Sequence, residues 1–527
     1  MIYKAFEFLF LLATFLSFTA TTYSPPWTSS SMEFFAFLAI LFLFLSIPSK
    51  EQRVIISRSS MIMVFFLIFS LGVLIVKRLQ LVEQIFLVFL YGLFYILCSS
   101  CVFHKNEKIK EYLCITILSA ILFNGFVILS QYFHLYNGDF GIWVADYDSS
   151  HGRPYGNFGQ PNLAATFLLT GLCSCIWLYK KKIGFSTLIL VSVFVGCVLA
   201  LPSSKTSFLC IAILISLAIM LRDKKSLIAF TATALALFIT KHLLPNTRDV
   251  TGVDISTGRF DLWITIFNAI FKSPWLGYGV LNTRVAHFSS RELDITPRSQ
   301  VIGSAHNLFL DFLVWFGVII GLFFIVYFVY IVFVFFKRNI NSPEKIYLII
   351  PILLHSQLEY PLFYANFLLL FAFVFNMSDV PYKVVGARKF AYSLFFAGFL
   401  ILAVVFFEYI KLSSGYTQLR FFNKNFVGVE KPKEMNFIVL DTTGGQFNFF
   451  LKEKISTQED YEDLKVLTKA MPSFKNYSLL IAYMAENEVD VEEVNFWMRK
   501  AKASFDEKEV EVLERILKYK NIDNLMN

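Results

Sequence analysis

Charge is what this 527-residue chain has least of: Asp, Glu, Lys and Arg make up 16% of it, against 56% hydrophobic and 18% aromatic residues. Soluble globular domains carry about 25% charged residues, so that class is excluded and the membrane class is left. Cysteine is scarce as well. The seven thiols (Cys98, Cys101, Cys114, Cys173, Cys175, Cys197, Cys210) all fall in or at the ends of apolar runs. That placement supports neither a disulfide framework nor a zinc site. Cys98 and Cys101 have redox spacing, but they close an apolar run and lack the βαβ surroundings of a redox motif, so they read as small buried hydrophobes. The formal charge of +8 points to no nucleic-acid partner, because the basic residues sit in short loops between apolar runs, where they report topology.

The apolar residues fall into runs of about 15–22, long enough to cross a hydrocarbon core of about 30 Å as helices. About thirteen spans are expected, near 5–20, 34–47, 61–76, 81–103, 112–130, 163–179, 183–201, 208–221, 226–240, 312–336, 346–357, 362–376 and 390–411. The first resembles a signal peptide, but Phe18 is too large for the small-residue position before a cut, so it reads as an uncleaved span. Alternate loops carry Lys50/Arg53/Arg58, Lys105/Lys108/Lys110, Lys180-Lys181-Lys182, Arg222/Lys224/Lys225, Lys337-Arg338/Lys345 and Lys383/Arg388/Lys389. The positive-inside rule puts these in the cytoplasm. The loops 131–162 and 241–306, the turn around Pro361 and the tail then face outward, with Lys77-Arg78 as a small exception. The expected fold class is an all-α polytopic membrane protein with a multi-span domain, 1–411, and an outer helical domain, 412–527. Helical periodicity at 457–470, 473–486 and 491–503 gives that tail the look of a tetratricopeptide-like αα-hairpin.

The longest polar interruption, 241–306, holds Arg248, Arg259, Lys272, Arg284, Arg291 and Arg298 and ends in Gly303-Ser304-Ala305-His306-Asn307. Ser256-Thr257-Gly258 reads as the cap of a helix from Arg259 to Phe271, ended by Pro274 and lying on the bilayer surface with its apolar face down. Arg259 then sits at headgroup depth, where a guanidinium clamps a phosphate bidentately or snorkels to lipid phosphates. His306 is expected in the first turn of the next span, where the helix dipole favours the neutral ring, the form that accepts a proton. The earlier loop contributes Arg153, Asn157 and Gln160, among glycines that allow close backbone approach to a ligand. Pro161 opens the following helix. Asp146-Tyr147-Asp148 looks like a nucleotide-sugar metal motif, but the outer face has no such donor, so it reads as a loop accident. His355 and Glu359 are expected as an i, i+4 pair on one helix face, just before Tyr360-Pro361.

These pieces resemble the PglL-type protein O-oligosaccharyltransferases, within the O-antigen ligase and Wzy-like polymerase group. The resemblance is carried by Arg153-Pro154-Tyr155-Gly156-Asn157-Phe158-Gly159-Gln160-Pro161-Asn162, Thr257-Gly258-Arg259-Phe260-Asp261-Leu262-Trp263, Pro274-Trp275-Leu276-Gly277-Tyr278-Gly279, Ala305-His306-Asn307 and His355-Ser356-Gln357-Leu358-Glu359-Tyr360-Pro361. It implies transfer of a whole glycan from an undecaprenyl-diphosphate carrier to a serine or threonine of a pilin-like protein. The setting would be the outer face of a bacterial inner membrane. His306, Gln160 and Tyr360 match family positions important for activity, and Arg259 matches the arginine thought to contact the diphosphate. Arg153, Arg284, Asn157, Glu359 and His355 are further substrate-binding candidates.

Diphosphate leaves without protonation, so the paired carboxylates of a glycosidase are not required. The arginines supply charge stabilisation and His306 a base. Neither a cofactor nor a metal is called for. An O-antigen ligase acting on lipid A core, a glycan polymerase, and a transporter that binds the same lipid without cleaving it remain as rival readings.

Overall fold

In the computed structural model, residues 2–20, 26–27, 29–48, 50–77, 82–104, 107–135, 153–244, 256–293, 302–377, 381–386, 388–426, 428–487 and 489–519 are described. Asp146, Tyr147, Asp148, His151, Arg248 and Arg298 lie outside them. In chain order the first helices are α1 (Ile2–Thr19), α2 (Ser30–Leu45), α3 (Arg58–Lys77), α4 (Val82–His104), α5 (Glu107–Tyr132), α6 (Pro161–Tyr179), α7 (Phe185–Leu199), α8 (Lys205–Met220) and α9 (Lys224–Leu243). The middle holds α10 (Ser256–Lys272), α11 (Thr283–Ser290), α12 (Leu308–Asn339), α13 (Pro343–His355), α14 (Ala365–Asn376) and α15 (Arg388–Asn423). The tail adds α16 (Asp441–Leu451), α17 (Gln458–Ala470), α18 (Phe474–Glu486), α19 (Val491–Lys502) and α20 (Glu507–Tyr519).

Each of the thirteen expected runs overlaps a helix, although several helices are shorter than the run and the 312–336 run is broken at Gly317. Among the described residues, eight helices are long and apolar enough to cross a membrane, and α2, α7, α8 and α14 are shorter apolar helices. The chain is an all-α multi-pass membrane protein, with one strand pair among the described residues that periodicity did not reveal. Strands β1 (Val54–Ser57) and β2 (Pro381–Gly386) pair antiparallel, more than three hundred residues apart in sequence.

The chain divides into two units. The first comprises 1–66, 89–253 and 327–403, the second 67–88, 254–326 and 404–527. At the heart of the first lies α6, buried on every side from 163 to 178, as befits a helix apolar all round. Ion pairs gather the basic loops of this unit at one end: Lys180 with Asp223 and Glu344, Lys181 with Glu107, and Lys182 with Glu111. The strand pair joins the 50–58 and 381–389 loops in the same manner. Asn157 Nδ2 donates to the Thr19 carbonyl, and the Asn157 amide to Asn124 Oδ1 at 3.2 Å. Gln131 receives the amides of Tyr155 and Gly156 at 3.0 and 2.8 Å. These bonds fasten the start of the 153–162 loop to helix ends. No disulfide joins the cysteines.

In the second unit, α12 is broken at Gly317, whose φ of 76° and ψ of −178° fall in a region open essentially to glycine alone. The segment 274–279 repairs the break. Val318 donates its amide to the Pro274 carbonyl at 2.7 Å, Tyr278 to Val314 at 2.7 Å and Gly279 to Trp315 at 3.0 Å. Beyond the break α12 runs on for about 33 Å at 1.5 Å per residue, one membrane thickness. The Pro-x-x-Gly-x-Gly piece is thus a splint for a broken span. The tail helices follow the expected periodicity, with Thr457 and Ser473 capping α17 and α18 through the amides of Asp460 and Asn476 at 3.1 and 3.2 Å. Periodicity missed α16 and α20. The tail core also takes in Phe288 of α11, packed with Tyr477, Trp497 and Phe505. Lys500 Nζ, nearly enclosed, donates to the carbonyls of Phe288 and Ser289 at 2.8 and 3.0 Å and pairs with Glu292 at 2.7 Å.

Candidate active site

The candidates fall into one set in each unit. In the first unit, Arg153 Nε donates to the Pro202 carbonyl at 2.8 Å and Nη2 to Asn162 Oδ1 at 3.3 Å. Asn162 Nδ2 in turn donates to Glu359 Oε1 at 3.1 Å. Asn162, in the first turn of α6, is therefore a bridge between a cation and a carboxylate. It stood in the motif without an assigned role. Gln160 is the N-cap of α6 in extended conformation, yet its side chain makes no cap hydrogen bond, and it is half-buried. Asn157 is 3% exposed and spends its amide on the backbone, which makes it an anchor of the loop.

His355 and Glu359 do not share the helix face expected at i, i+4. Helix α13 ends at His355, and Tyr360, ahead of Pro361, has φ −132° and ψ 47°. A proline disfavours helical backbone at the residue before it, so the chain turns instead of continuing. The two side chains go to different partners: His355 Nδ1 meets Thr166 Oγ1 at 2.7 Å, while Glu359 takes Asn162. Both are buried, at 0% and 5% exposure. Tyr360 stacks on Tyr364 with ring centroids 6.1 Å apart.

In the second unit three elements meet on the turn 303–306. From α10, Trp263 Nε1 donates to the Ala305 carbonyl at 3.0 Å. Arg259 lies one turn earlier on the same face, at i and i+4. The helix starts at Ser256, three residues before the expected Arg259. Its exposed apolar residues are Phe260, Ile264, Phe267 and Phe271, while Ile270 is buried and Trp263 half-buried and engaged. From α11, the exposed Arg284 guanidinium lies so close to Gly303 that a Cβ there would stand 3.4 Å from Nε. From α12, the buried Asp311 carboxylate receives Ser304 Oγ, Ala305 N and Thr283 Oγ1 at 2.7, 2.9 and 2.8 Å.

His306 is not in the first turn of α12, as expected, but outside it. The helix begins at Leu308, and Asn307 Oδ1 takes the amides of Phe309 and Leu310 at 3.0 and 3.1 Å, as a capping asparagine does. His306 is therefore held in left-handed backbone at φ 53°, with its amide donated to Ser304 Oγ at 3.0 Å. A non-glycine residue in that region is held there by its surroundings, and such strain gathers at functional sites. Asp311 was missed by sequence reasoning. Its signal was an ionisable residue inside an apolar run, which is costly unless it has a task. Among the described residues, no three His, Cys, Asp or Glu side chains gather as metal ligands.

Two family profiles match the chain: O-antigen ligase over 162–326, and the C-terminal part of virulence-factor membrane-bound polymerases over 346–424. A general O-oligosaccharyltransferase of Acinetobacter baylyi is 25% identical, the alignment covering 90% of this chain and 89% of the relative. A ComP-specific O-oligosaccharyltransferase of the same organism is 27% identical over 42% of this chain and 43% of its own. With these matches, the chain is a glycosyltransferase that resembles the O-antigen ligase group and, within it, the PglL-type O-oligosaccharyltransferases.

Proposed function

We propose that the chain transfers an oligosaccharide whole from undecaprenyl diphosphate to a Ser or Thr hydroxyl of a periplasmic, pilin-like protein. It does so in the bacterial inner membrane, with about thirteen spans and the active site on the periplasmic side. The observation that carries the chemistry is the 303–306 turn, where the half-buried His306 and the exposed Arg284 belong to one bonded assembly with the helix that bears Arg259. In this reading His306 takes the acceptor's hydroxyl proton as the oxygen attacks the anomeric carbon. The C1–O bond to the diphosphate breaks with inversion, and Arg259 and Arg284 take up the charge on the departing phosphates. Gln160 and Tyr360 match family positions important for activity, and Arg153 and Glu359 are joined through Asn162.

The exposed apolar stripe of α10, Phe260 to Phe271, suits contact with outer-leaflet lipid. The tetratricopeptide-like tail suits a protein acceptor. The polymerase profile over 346–424 keeps a glycan acceptor as the second reading. Both are tested with purified protein in liposomes, preformed lipid-linked donor on the accessible side, and a pilin-like acceptor followed by intact mass. Wild-type protein is expected to add one whole glycan, and His306→Gln, which takes no proton at neutral pH, to add none. Glycan-on-glycan products without acceptor modification would favour the polymerase, and no transfer at all the transporter.

A further inference from the structure

Asp311 has a use that the proposed reaction does not yet account for. Its carboxylate is 1% exposed, and burial of an ionised group is costly unless donors surround it. Three do. Thr283 Oγ1 and Ala305 N reach Oδ1, and Ser304 Oγ reaches Oδ2. Trp315 Nε1 donates to Thr283 Oγ1 at 3.0 Å, fixing that hydroxyl from behind. Thr283 directly precedes Arg284, and Ser304 Oγ in turn holds the amide of His306. One carboxylate thus ties the start of the arginine helix to the turn that keeps the histidine in left-handed backbone.

We propose that Asp311 is a positioning residue, which sets His306 and Arg284 in register for the transfer step without touching substrate. The proposal rests on the reading of His306 as base. With three donors on its two oxygens and its surface closed to solvent, Asp311 is unsuited to proton transfer with a ligand. A misplacement of about 1 Å in a reacting group costs on the order of 10²-fold in rate, so the effect belongs in kcat.

The test uses the full-length protein in liposomes, with kcat and the KM for lipid-linked donor measured for Asp311→Leu, Asp311→Asn and Ser304→Ala beside His306→Gln. Asp311→Leu is expected to lower kcat about 10²-fold with the donor KM within about threefold. Asp311→Asn, which still accepts from Thr283 and Ala305, should recover most of the rate. Ser304→Ala, the milder change and the one to rely on if Asp311→Leu does not fold, should lower kcat about tenfold at unchanged KM. Wild-type kcat in folded Asp311→Leu or in Ser304→Ala overturns the proposal, as does a rise in donor KM at constant kcat. Wild-type turnover by His306→Gln instead overturns the base reading, whatever the other variants do.

Discussion

Gly317→Ala tests the splint that joins the broken span to the 274–279 segment. Three costs add. Backbone at φ 76° and ψ −178° costs a residue with a Cβ about 1–3 kcal/mol. The new Cβ would stand 2.5 Å from the Pro274 carbonyl oxygen and 2.6 Å from backbone atoms of Trp275, contacts that only a backbone shift relieves. That shift would stretch the bonds from Val318, Tyr278 and Gly279, each worth about 1 kcal/mol net. The sum is about 3–6 kcal/mol, enough to threaten a fold with typical stability. Gly277→Ala should behave alike, since Gly277 has φ 61° and its Cβ would stand 2.3 Å from the Val314 carbonyl oxygen. Gly72 has nothing within 4 Å of an added Cβ and lies in α3, so Gly72→Ala should be neutral or stabilise by about 0.5–1 kcal/mol. Thermal unfolding in detergent, followed by tryptophan fluorescence, reads all three. A Gly317→Ala protein that melts with wild type and with the Gly72→Ala control would refute the splint.

Arg259→Lys keeps the charge and loses the planar fork, so transfer should fall at least tenfold, the factor that about 1.4 kcal/mol of lost bidentate contact gives; wild-type turnover would leave Arg259 as a lipid-snorkelling residue. Lys500→Met keeps the stem but loses the bonds to Phe288 and Ser289, and should loosen the tail from α11 by about 1.5–3 kcal/mol, seen as a lower melting temperature. The partly exposed Glu292 adds little to that figure. Burial works against its carboxylate, but the hydrogen bond and charge of Lys500 outweigh it and hold its pKa below the usual value. A lowered carboxylate pKa stabilises above the unfolded value of about 4.3 and is lost as pH falls through the folded one. That part of the acid sensitivity should vanish in Lys500→Met, and a melting curve with unchanged pH dependence would count against the latch.

Local pattern carried much of this protein. Runs of apolar residues suffice to specify helices, because a span satisfies its own backbone bonds and needs only length and hydropathy. The tail helices were legible from a 3.6-residue period in the same way. The residues around Gln160, Arg259, His306 and Tyr360 stood out as polar islands with Gly and Pro beside them. Tertiary structure decided what joins across distance. Nothing in 308–336 told that Gly317 breaks the span, since a break is tolerable only where another segment brings three donors and acceptors to it. His355 and Glu359 looked like residues of one helix face because i, i+4 spacing is a helix rule, and the rule lapsed where the helix stopped. Asn162, Asp311, Lys500 and the strand pair 54–57 with 381–386 acquire their roles from neighbours 6 to more than 300 residues away. Burial makes those distant bonds compulsory, because a polar group out of water must find its partner wherever the fold brings one.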